Sequence, residues 1–461
     1  MGLNFAEINS LVENSKQQSR LPKFMQQLRF PGNLRRLIIV FLLVIALIFI
    51  LFPKPVTLSF VVSKNEVEYW RPLIDQFEAK NKSIRIDLAN LSKTKPVNPA
   101  DTDRLKATYI EGFEGKSQPF DLIYMDIIWV PEFAEAGWLM DLTKELSQQE
   151  FKKLELNEFL VSEVDNGYYN GKLYRIPFRT DVGVLYYRKD LLKEAGYSPP
   201  ETFEDLIKIS QALQKQKKVP WGYLWQGRQT EALAAMFVEV LKGYGGFWIK
   251  DKTVGLGQPA AIQAVEFLRS TMKQGISPEG ITTYEEEYTR RLFRDGQAVF
   301  MRNWPFAWTY ASSPGSSVRG KIAIKPMVHA LGESSGACKG GWGFGIAKTT
   351  KHKKAALQAI KFFTSAAVQR QFTLAYGSVP SRRKLFFEPK IVARYSHYPE
   401  LLNVIDKSWV ARPRIPQYAQ ASAILQKYLG AALNPDENGY PSPQEAMNAA
   451  AQETQELLKD M

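Results

Sequence analysis

An α/β fold follows from two patterns in the chain. Short apolar strands alternate with amphipathic helices from residue 58 onward, and helix-capping signals open later helices. With 461 residues, 45% of them hydrophobic and 12% aromatic, the chain can build two ordinary-sized lobes. The run LSFVV (58–62) has the length and apolarity of a strand. After it, Val67, Trp70, Leu73, Ile74 and Phe77 recur at helical spacing, which predicts a helix with one buried face. IRIDL (84–88) alternates as a second strand, a helix follows, and LIYMD (122–126) is a third strand, so the start of the body reads as βαβ. Further along, Thr202 and Asp205 form a capping box ahead of Leu206, Ile209 and Leu213. Ser442-Pro443-Gln444-Glu445 reads as the capping box of the last helix. No repeat is present, and low complexity is confined to 312–317 and 434–443.

The formal net charge of +13 raises the question of a nucleic-acid partner. No Lys/Arg stripe interleaved with stacking aromatics accompanies it, so that class is set aside. Part of the excess sits at the front, in Lys16, Arg20, Lys23, Arg29, Arg35, Arg36 and Lys54, where it has a topological meaning. Every residue from 37 to 52 is apolar, Arg35-Arg36 precede the run, and Pro53-Lys54-Pro55 close it. This predicts a transmembrane anchor at 37–52, with a basic cytoplasmic segment at 1–36 and the body on the far side. The run is shorter than the roughly 20 residues that span a bilayer comfortably, and local thinning or snorkelling of Arg36 and Lys54 closes the gap. Ile50, Leu51 and Phe52 give signal peptidase no small residues, and no cysteine follows for lipidation. The only cysteine, Cys338, excludes an internal disulfide. His329, His352 and His397 lack metal-ligand spacing, so neither a metal nor a cofactor is expected. Gly332-Glu333-Ser334-Ser335-Gly336 matches a hydrolase nucleophile pattern, but it lacks a strand before it and a helix after it, and reads as a loop.

Two tryptophans stand among small and polar residues, in NWPFAW (303–308) and GGWGFGI (340–346). A pyranose has a C–H face that stacks on an indole and an equator of hydroxyls that needs carboxylates, amides and guanidinium groups. Asp126 and Asp181, each closing a short apolar strand, could supply such acceptors. The alternative is that Trp304 and Trp342 are core residues, the commoner use of large aromatics.

Seven segments in order carry a resemblance over nearly everything after residue 57: NEVEYW (65–70), LIYMD, DVGVLYYRKDLL (181–192), WQGRQTEAL (225–233), RNWPFAW (302–308), GGWGFGI and ARPRIPQY (411–418). They resemble the trehalose/maltose-binding proteins of ABC sugar importers, a branch of the extracellular solute-binding proteins that includes maltodextrin-binding protein. The resemblance implies a two-lobed α/β periplasmic-binding-protein fold with a hinge and an interlobe ligand cleft, here preceded by one N-terminal transmembrane helix. Three chain crossings would fall near 177–184, 342–346 and 376–380. The N-terminal lobe would then comprise 56–180 plus 343–378, and the C-terminal lobe 181–342 plus 379–461. Open α/β sheets bind ligands at the carboxyl ends of their strands, where Asp126 falls.

Carried over residue by residue, the resemblance implies that Glu66, Asp126 and Asp181 accept hydrogen bonds from sugar hydroxyls while Trp304 and Trp342 stack on the rings. Gly340 and Gly341 would let backbone amides approach, and Arg412 would donate from a planar fork. Two positions depart from the pattern: Arg179 stands where the family has a tyrosine, and Leu105-Lys106 where it has paired arginines. Arg179 could grip sugar oxygens or form a structural pair with Asp181 or Glu66. Beside Asp181 it should lower that carboxylate's pKa, which suits an acceptor and argues against the general acid of a glycoside hydrolase. The implied function is non-enzymatic. It is that of an inner-membrane, single-pass substrate-binding protein with a monomeric body in the periplasm or extracellular space. It would bind trehalose, maltose, sucrose or glucosylglycerol and deliver it to permease subunits and their cytoplasmic ATPase. A tethered sugar sensor or scaffold is the alternative.

The anchor reading requires that the mature protein keep its N-terminus. N-terminal sequencing of the membrane fraction should return the uncleaved chain, and a chain beginning between 53 and 57 would instead identify a signal peptide.

Overall fold

In a computed structural model of the chain, the described residues are 55–90, 102–434 and 442–460. The expected cytoplasmic segment 1–36 and anchor 37–52 lie outside them. Among the described residues no helix is long and apolar enough to cross a membrane.

The body opens as the sequence predicts. Strand β1 (Val56–Val62) pairs in parallel with β2 (Ile84–Asn90), from Val56 opposite Ile84 to Val62 opposite Asn90. Between them helix α1 (Val67–Lys80) buries Trp70, Leu73, Ile74 and Phe77. Trp70 is the centre of this packing: its ring lies 5.5 Å from Phe60, 5.4 Å from Tyr124, 4.9 Å from Phe178 and 5.6 Å from Phe344. Each such buried ring contributes about 1.5–3 kcal/mol.

Parallel β1 and β2 joined by α1 form the expected βαβ unit, and only strand β3 (Leu122–Asp126) departs from its continuation. The remaining strands of the two larger sheets are β4 (Ile176–Val182), β5 (Val184–Arg188), β6 (Trp221–Leu224), β7 (Ala298–Asn303), β8 (Ile322–Lys325), β9 (Ala337–Ile346), β10 (Val379–Pro380) and β11 (Trp409–Val410). One sheet has the order β10-β4-β9-β11, and β3 joins it antiparallel along β9 and not in a parallel ladder with β1. β3 nevertheless lies beside β1, since the Asp121 amide donates to Ser59 O at 3.0 Å and the Ser59 amide to Asp121 Oδ2 at 3.0 Å. The other sheet has the order β8-β5-β7-β6, with β5 antiparallel to both β7 and β8.

Helix α2 (Phe203–Lys215) has the expected Thr202/Asp205 box with both bonds made, and it buries Leu206, Ile209 and Leu213. Helix α3 (Glu231–Gly243) is buried along nearly its whole length, and α4 (Glu286–Arg294) follows. The last helix, α5 (Pro443–Leu457), starts where expected, but Ser442 makes no side-chain capping bond. Pro443 explains why the helix starts without it: proline presets the first helical φ and has no N–H to satisfy.

The apolar side chains gather into separate cores. One joins Val184, Leu185, Phe237, Phe300 and Met301 around the β8-β5-β7-β6 sheet. Another joins Leu58, Phe60, Trp70, Phe178 and Phe344, and a third joins Tyr109, Met125, Trp129 and Phe133. Residues 332–336 form a loop leading into β9, with no helix after it, so the nucleophile pattern has no elbow to sit on. Cys338 is buried within β9, and burial pushes its thiol up to about 12, leaving it inert.

β4 passes into β5 through a single residue, Gly183, and so from one sheet into the other. A Cβ at Gly183 would lie 1.6 Å from Glu239 Oε1 and 2.7 Å from Arg302 Nη2. Those two side chains form a fully buried two-pronged pair, Nε to Oε2 at 2.8 Å and Nη2 to Oε1 at 2.6 Å. The Cys338 amide (3.1 Å) and Gln226 Oε1 (3.2 Å) satisfy further capacity. A buried pair so placed tolerates neither displacement nor loss of a partner. Gly183→Ala should therefore cost about 3–5 kcal/mol, as breaking a buried pair does. Chemical denaturation is the check, and an unchanged midpoint would contradict this assignment.

Candidate functional site

The site grows from the registers of β9 with its two neighbours. On β4, Asp181 pairs with Gly340, Thr180 with Gly341 and Arg179 with Trp342; on β3, Asp126 pairs with Trp342. Strand side chains alternate between faces. Asp126, Arg179, Asp181, Gly340 and Trp342 therefore share one face, while Thr180, Lys339 and Gly341 occupy the other.

On the first face, a Cβ at Gly340 would sit 3.2 Å from Asp181 Cβ and 3.5 Å from Trp304 Cζ3. The glycine thus lets the indole and the carboxylate come together over the strand. Trp304 follows β7 and is half-buried. Its Nε1 donates to Glu286 Oε1 at 3.0 Å, and the Arg302 guanidinium lies 4.3 Å from its ring centre. Trp342 is also half-buried, 5.0 Å from the Tyr124 ring and edge-on to Trp129 at 5.4 Å. Neither tryptophan is a fully buried core residue.

Arg179 makes more partners than either sequence reading gave it. Its Nη2 donates to Glu66 Oε1 at 3.0 Å and its Nε to the Tyr124 hydroxyl at 3.0 Å, and Nη1 lies 3.8 Å from Asp181 Oδ2. The guanidinium also lies 5.3 Å from the Trp342 ring and 5.8 Å from that of Tyr376. Glu66 is buried and accepts a second bond from Trp70 Nε1 at 3.2 Å. Asp126 caps the turn after β3 by accepting from the Ile128 amide at 3.2 Å, and its Oδ1 lies 3.6 Å from Arg412 Nη2. Arg412 is held by Glu231 Oε1 at 2.7 Å and by Lys339 O at 3.2 Å. Glu231 is itself fixed by Ser422 Oγ at 2.6 Å and by the Tyr418 hydroxyl.

The charge expectation at Asp181 is overturned. Burial raises its pKa to about 7, with Arg179 opposing and Glu163 and Asp126 adding to the rise. The 3.8 Å contact to Arg179 does not offset the loss of water together with two neighbouring carboxylates. A carboxyl group titrating there could serve as a general acid, so the charge argument against hydrolysis falls. Asp126 is raised in the same way, by burial against the attraction of Arg412.

Gly341 stands apart from this group. Its φ is +153°, and a Cβ would lie 2.6 Å from Glu163 Oε1 on the opposite face. There the buried Glu163 accepts from Thr180 Oγ1 at 2.8 Å and pairs with Arg175 and Lys339, each at 3.1 Å. The room left by the missing side chain is taken by a carboxylate. Lys106, the other departure from the family pattern, pairs with Glu132 at 2.5 Å.

Sequence reasoning missed Glu231, Glu286, Tyr124 and Tyr376 as members of the site. Tyr124 lies within LIYMD and Tyr376 at the third expected crossing, so both were marked by position. Glu231 lies within WQGRQTEAL and was marked in the same way, although its partner Arg412 is far along the chain, whereas nothing local distinguishes Glu286, which meets Trp304 only through the fold.

With this geometry established, comparison with known proteins places the fold. Residues 63–370 match the family described as bacterial extracellular solute-binding protein. A probable ABC transporter-binding protein of Deinococcus radiodurans is 30% identical over 322 residues, covering 68% of this chain and 74% of that protein. A maltotriose-binding protein of Pyrococcus abyssi is 23% identical over 336 residues, 71% of this chain and 66% of that one. The structure of maltose-bound T. maritima MalE3 superposes with a TM-score of 0.77 at 31% identity, over 88% of this chain and 100% of that one. The fold is accordingly the two-lobed α/β periplasmic-binding-protein fold, and its lineage is that of non-enzymatic ABC-transporter solute-binding proteins. The chain belongs to the bacterial extracellular solute-binding protein family.

Proposed function

We propose that this protein binds a disaccharide-sized α-glucoside and delivers it to an ABC importer, held at the outer face of the inner membrane by residues 37–52. The observation that carries the reading is the half-buried Trp304 indole seated over Gly340 beside the Asp181 carboxylate. That is a stacking plate with an acceptor at its edge. Trp342 and Arg179 form the neighbouring wall, 5.3 Å apart. The maltose held by MalE3 and the maltotriose named for the Pyrococcus protein favour glucose rings joined by α-linkages. Lobes of 56–180 plus 343–378 and 181–342 plus 379–461 would close on the ligand and present the permease with a new shape.

The chemistry is binding alone. One glucose ring lays its C–H face on Trp304, and its hydroxyls donate to Asp181, with Asp126 and Glu66 beyond. Arg179 supplies donors from a fork already oriented by Glu66 and Tyr124, so little side-chain freedom is lost on binding.

Calorimetry on the body from residue 55 onward, against trehalose, maltose, sucrose and glucosylglycerol, should give saturable heat with at least one sugar and no product sugars. Heat from none of them, or hydrolysis, would refute the proposal. Trp304→Ala and Trp342→Ala should each weaken binding at least about tenfold, roughly 1.4 kcal/mol, with the fold intact. Unchanged affinity in both would return the tryptophans to a packing role. Arg179→Ala should lose about 1.5–3 kcal/mol of binding, and Arg179→Tyr should re-rank the sugars. Equal losses for every sugar would mark Arg179 as purely structural.

Affinity should also depend on pH with a definite sign. A ligand that donates to ionised Asp181 binds fully above pH 7, and its affinity falls by about tenfold per unit below that. For the free protein the sense is opposite. The folded-state pKa exceeds the ordinary carboxylate value, so Asp181's contribution to stability is greatest near pH 4 and declines as pH rises through 7. Titrations between pH 5 and 8 should show the affinity slope in the native protein and none in Asp181→Asn. A flat native profile would exclude Asp181 as the acceptor.

A further inference from the structure

Away from the cleft, Lys80, Lys153, Lys354 and Lys361 line one surface depression together with Asn81 and Phe362. Among the described residues none of these ammonium groups has a carboxylate within ion-pair distance, and the Lys80 ammonium lies 5.5 Å from the Phe362 ring centre. The one carboxylate lining the depression, Glu150, accepts from the Ser147 amide at 3.0 Å and hydroxyl at 2.8 Å, and its charge offsets only one of the four lysines. The adjoining depression shares Lys153 and adds Lys152, and its Arg382 and Lys384 are neutralised by Glu155 and Glu158 at 3.0 Å and 2.9 Å. Net positive charge is therefore greater in the first.

This face lies where the body begins. The Val56 amide donates to Ser83 O at 2.8 Å, and Asn81, in the same turn, accepts from Gln358 on the rim of the depression. Four Cα steps separate Phe52, the last residue of the apolar run, from Val56. At about 3.3–3.6 Å each, they reach at most about 14 Å.

We infer that the Lys80–Lys153–Lys354–Lys361 face is a docking surface for anionic phospholipid headgroups. The inference rests on the anchor reading of 37–52 proposed above. Long lysine stems carrying point charges suit a fluid array of phosphodiesters, where a planar guanidinium fork would suit a fixed partner. Docking this face also orients the binding body. β1 runs from Val56 to Val62, about 20 Å at the rise of a strand, before the chain reaches Glu66. The ligand site stands clear of the lipid while the body is held down at the other end of the same strand.

The test uses the full chain in nanodiscs of phosphatidylglycerol with phosphatidylcholine, against phosphatidylcholine alone, with lysine acylation read by mass spectrometry. In anionic discs Lys80, Lys153, Lys354 and Lys361 should label at least threefold more slowly, while exposed Lys215 and Lys250 are unchanged. Raising salt to about 0.5 M, where the Debye length falls to a few ångströms, should abolish the difference. The combined variant Lys153→Glu, Lys354→Glu and Lys361→Glu should stay in the disc and lose the protection of Lys80. Equal labelling in both discs with the chain retained overturns the docking surface alone. Protection that appears only when the permease is present overturns it in favour of a protein partner. Loss of the chain from both discs overturns the anchor reading and the surface with it.

Discussion

The register of β4 against β9 is the constraint on which the rest of the molecule depends. It brings Arg179 and Asp181 to one face beside Gly340 and Trp342, and turns Thr180, Lys339 and Gly341 to the other. A slip of one residue would exchange the faces, because strand side chains alternate with a period of two. Two buried charge clusters hold the register from opposite sides. Glu163 sits against Gly341 and binds Thr180 and Lys339, while the Glu239–Arg302 pair fills the space beside Gly183 and takes the Cys338 amide. Each cluster is satisfied only in this register, and a partly satisfied buried charge is costly.

The same register explains the electrostatics of the candidate binding face. Burial raises both Asp126 and Asp181, and the nearby arginines are shared among several acceptors. Arg179 is divided among Glu66, Tyr124 and Asp181, and Arg412 among Glu231, Lys339 O and Asp126. Asp181 sits at the weak end of its arginine, at 3.8 Å, which leaves it the carboxylate best placed to take a new donor. A neutral ligand rich in hydroxyls can satisfy such an acceptor without bringing a charge into the site, whereas a cation would have to compete with Arg179.

How much of this was legible in the sequence depended on how local the cause was. The buried face of α1 and the Thr202 cap follow from neighbours within a few residues, and they read correctly; the sequence left the two tryptophans between stacking plate and core, and the fold half-buries both. The partner of β3 did not read correctly, because an antiparallel strand more than two hundred residues away is invisible to periodicity. Gly341 shows the limit within a single motif: next to Gly340 in sequence, it faces the other way, and what fills its space is Glu163, far upstream. The titration of Asp181 was misjudged for a related reason. Its sequence neighbour Arg179 is visible in the chain, whereas the loss of solvent and the approach of Glu163 and Asp126 exist only in the folded protein. Glu231 acquires its role through Arg412, 181 residues later.

A crystal structure of the body, residues 55–461, grown with maltose addresses the binding site most directly. The expected density shows a glucose ring lying flat on Trp304, with a hydroxyl about 2.5–3.0 Å from the Asp181 carboxylate. A sugar bound elsewhere, or a ring that touches neither Trp304 nor Asp181, would contradict the site described for this fold.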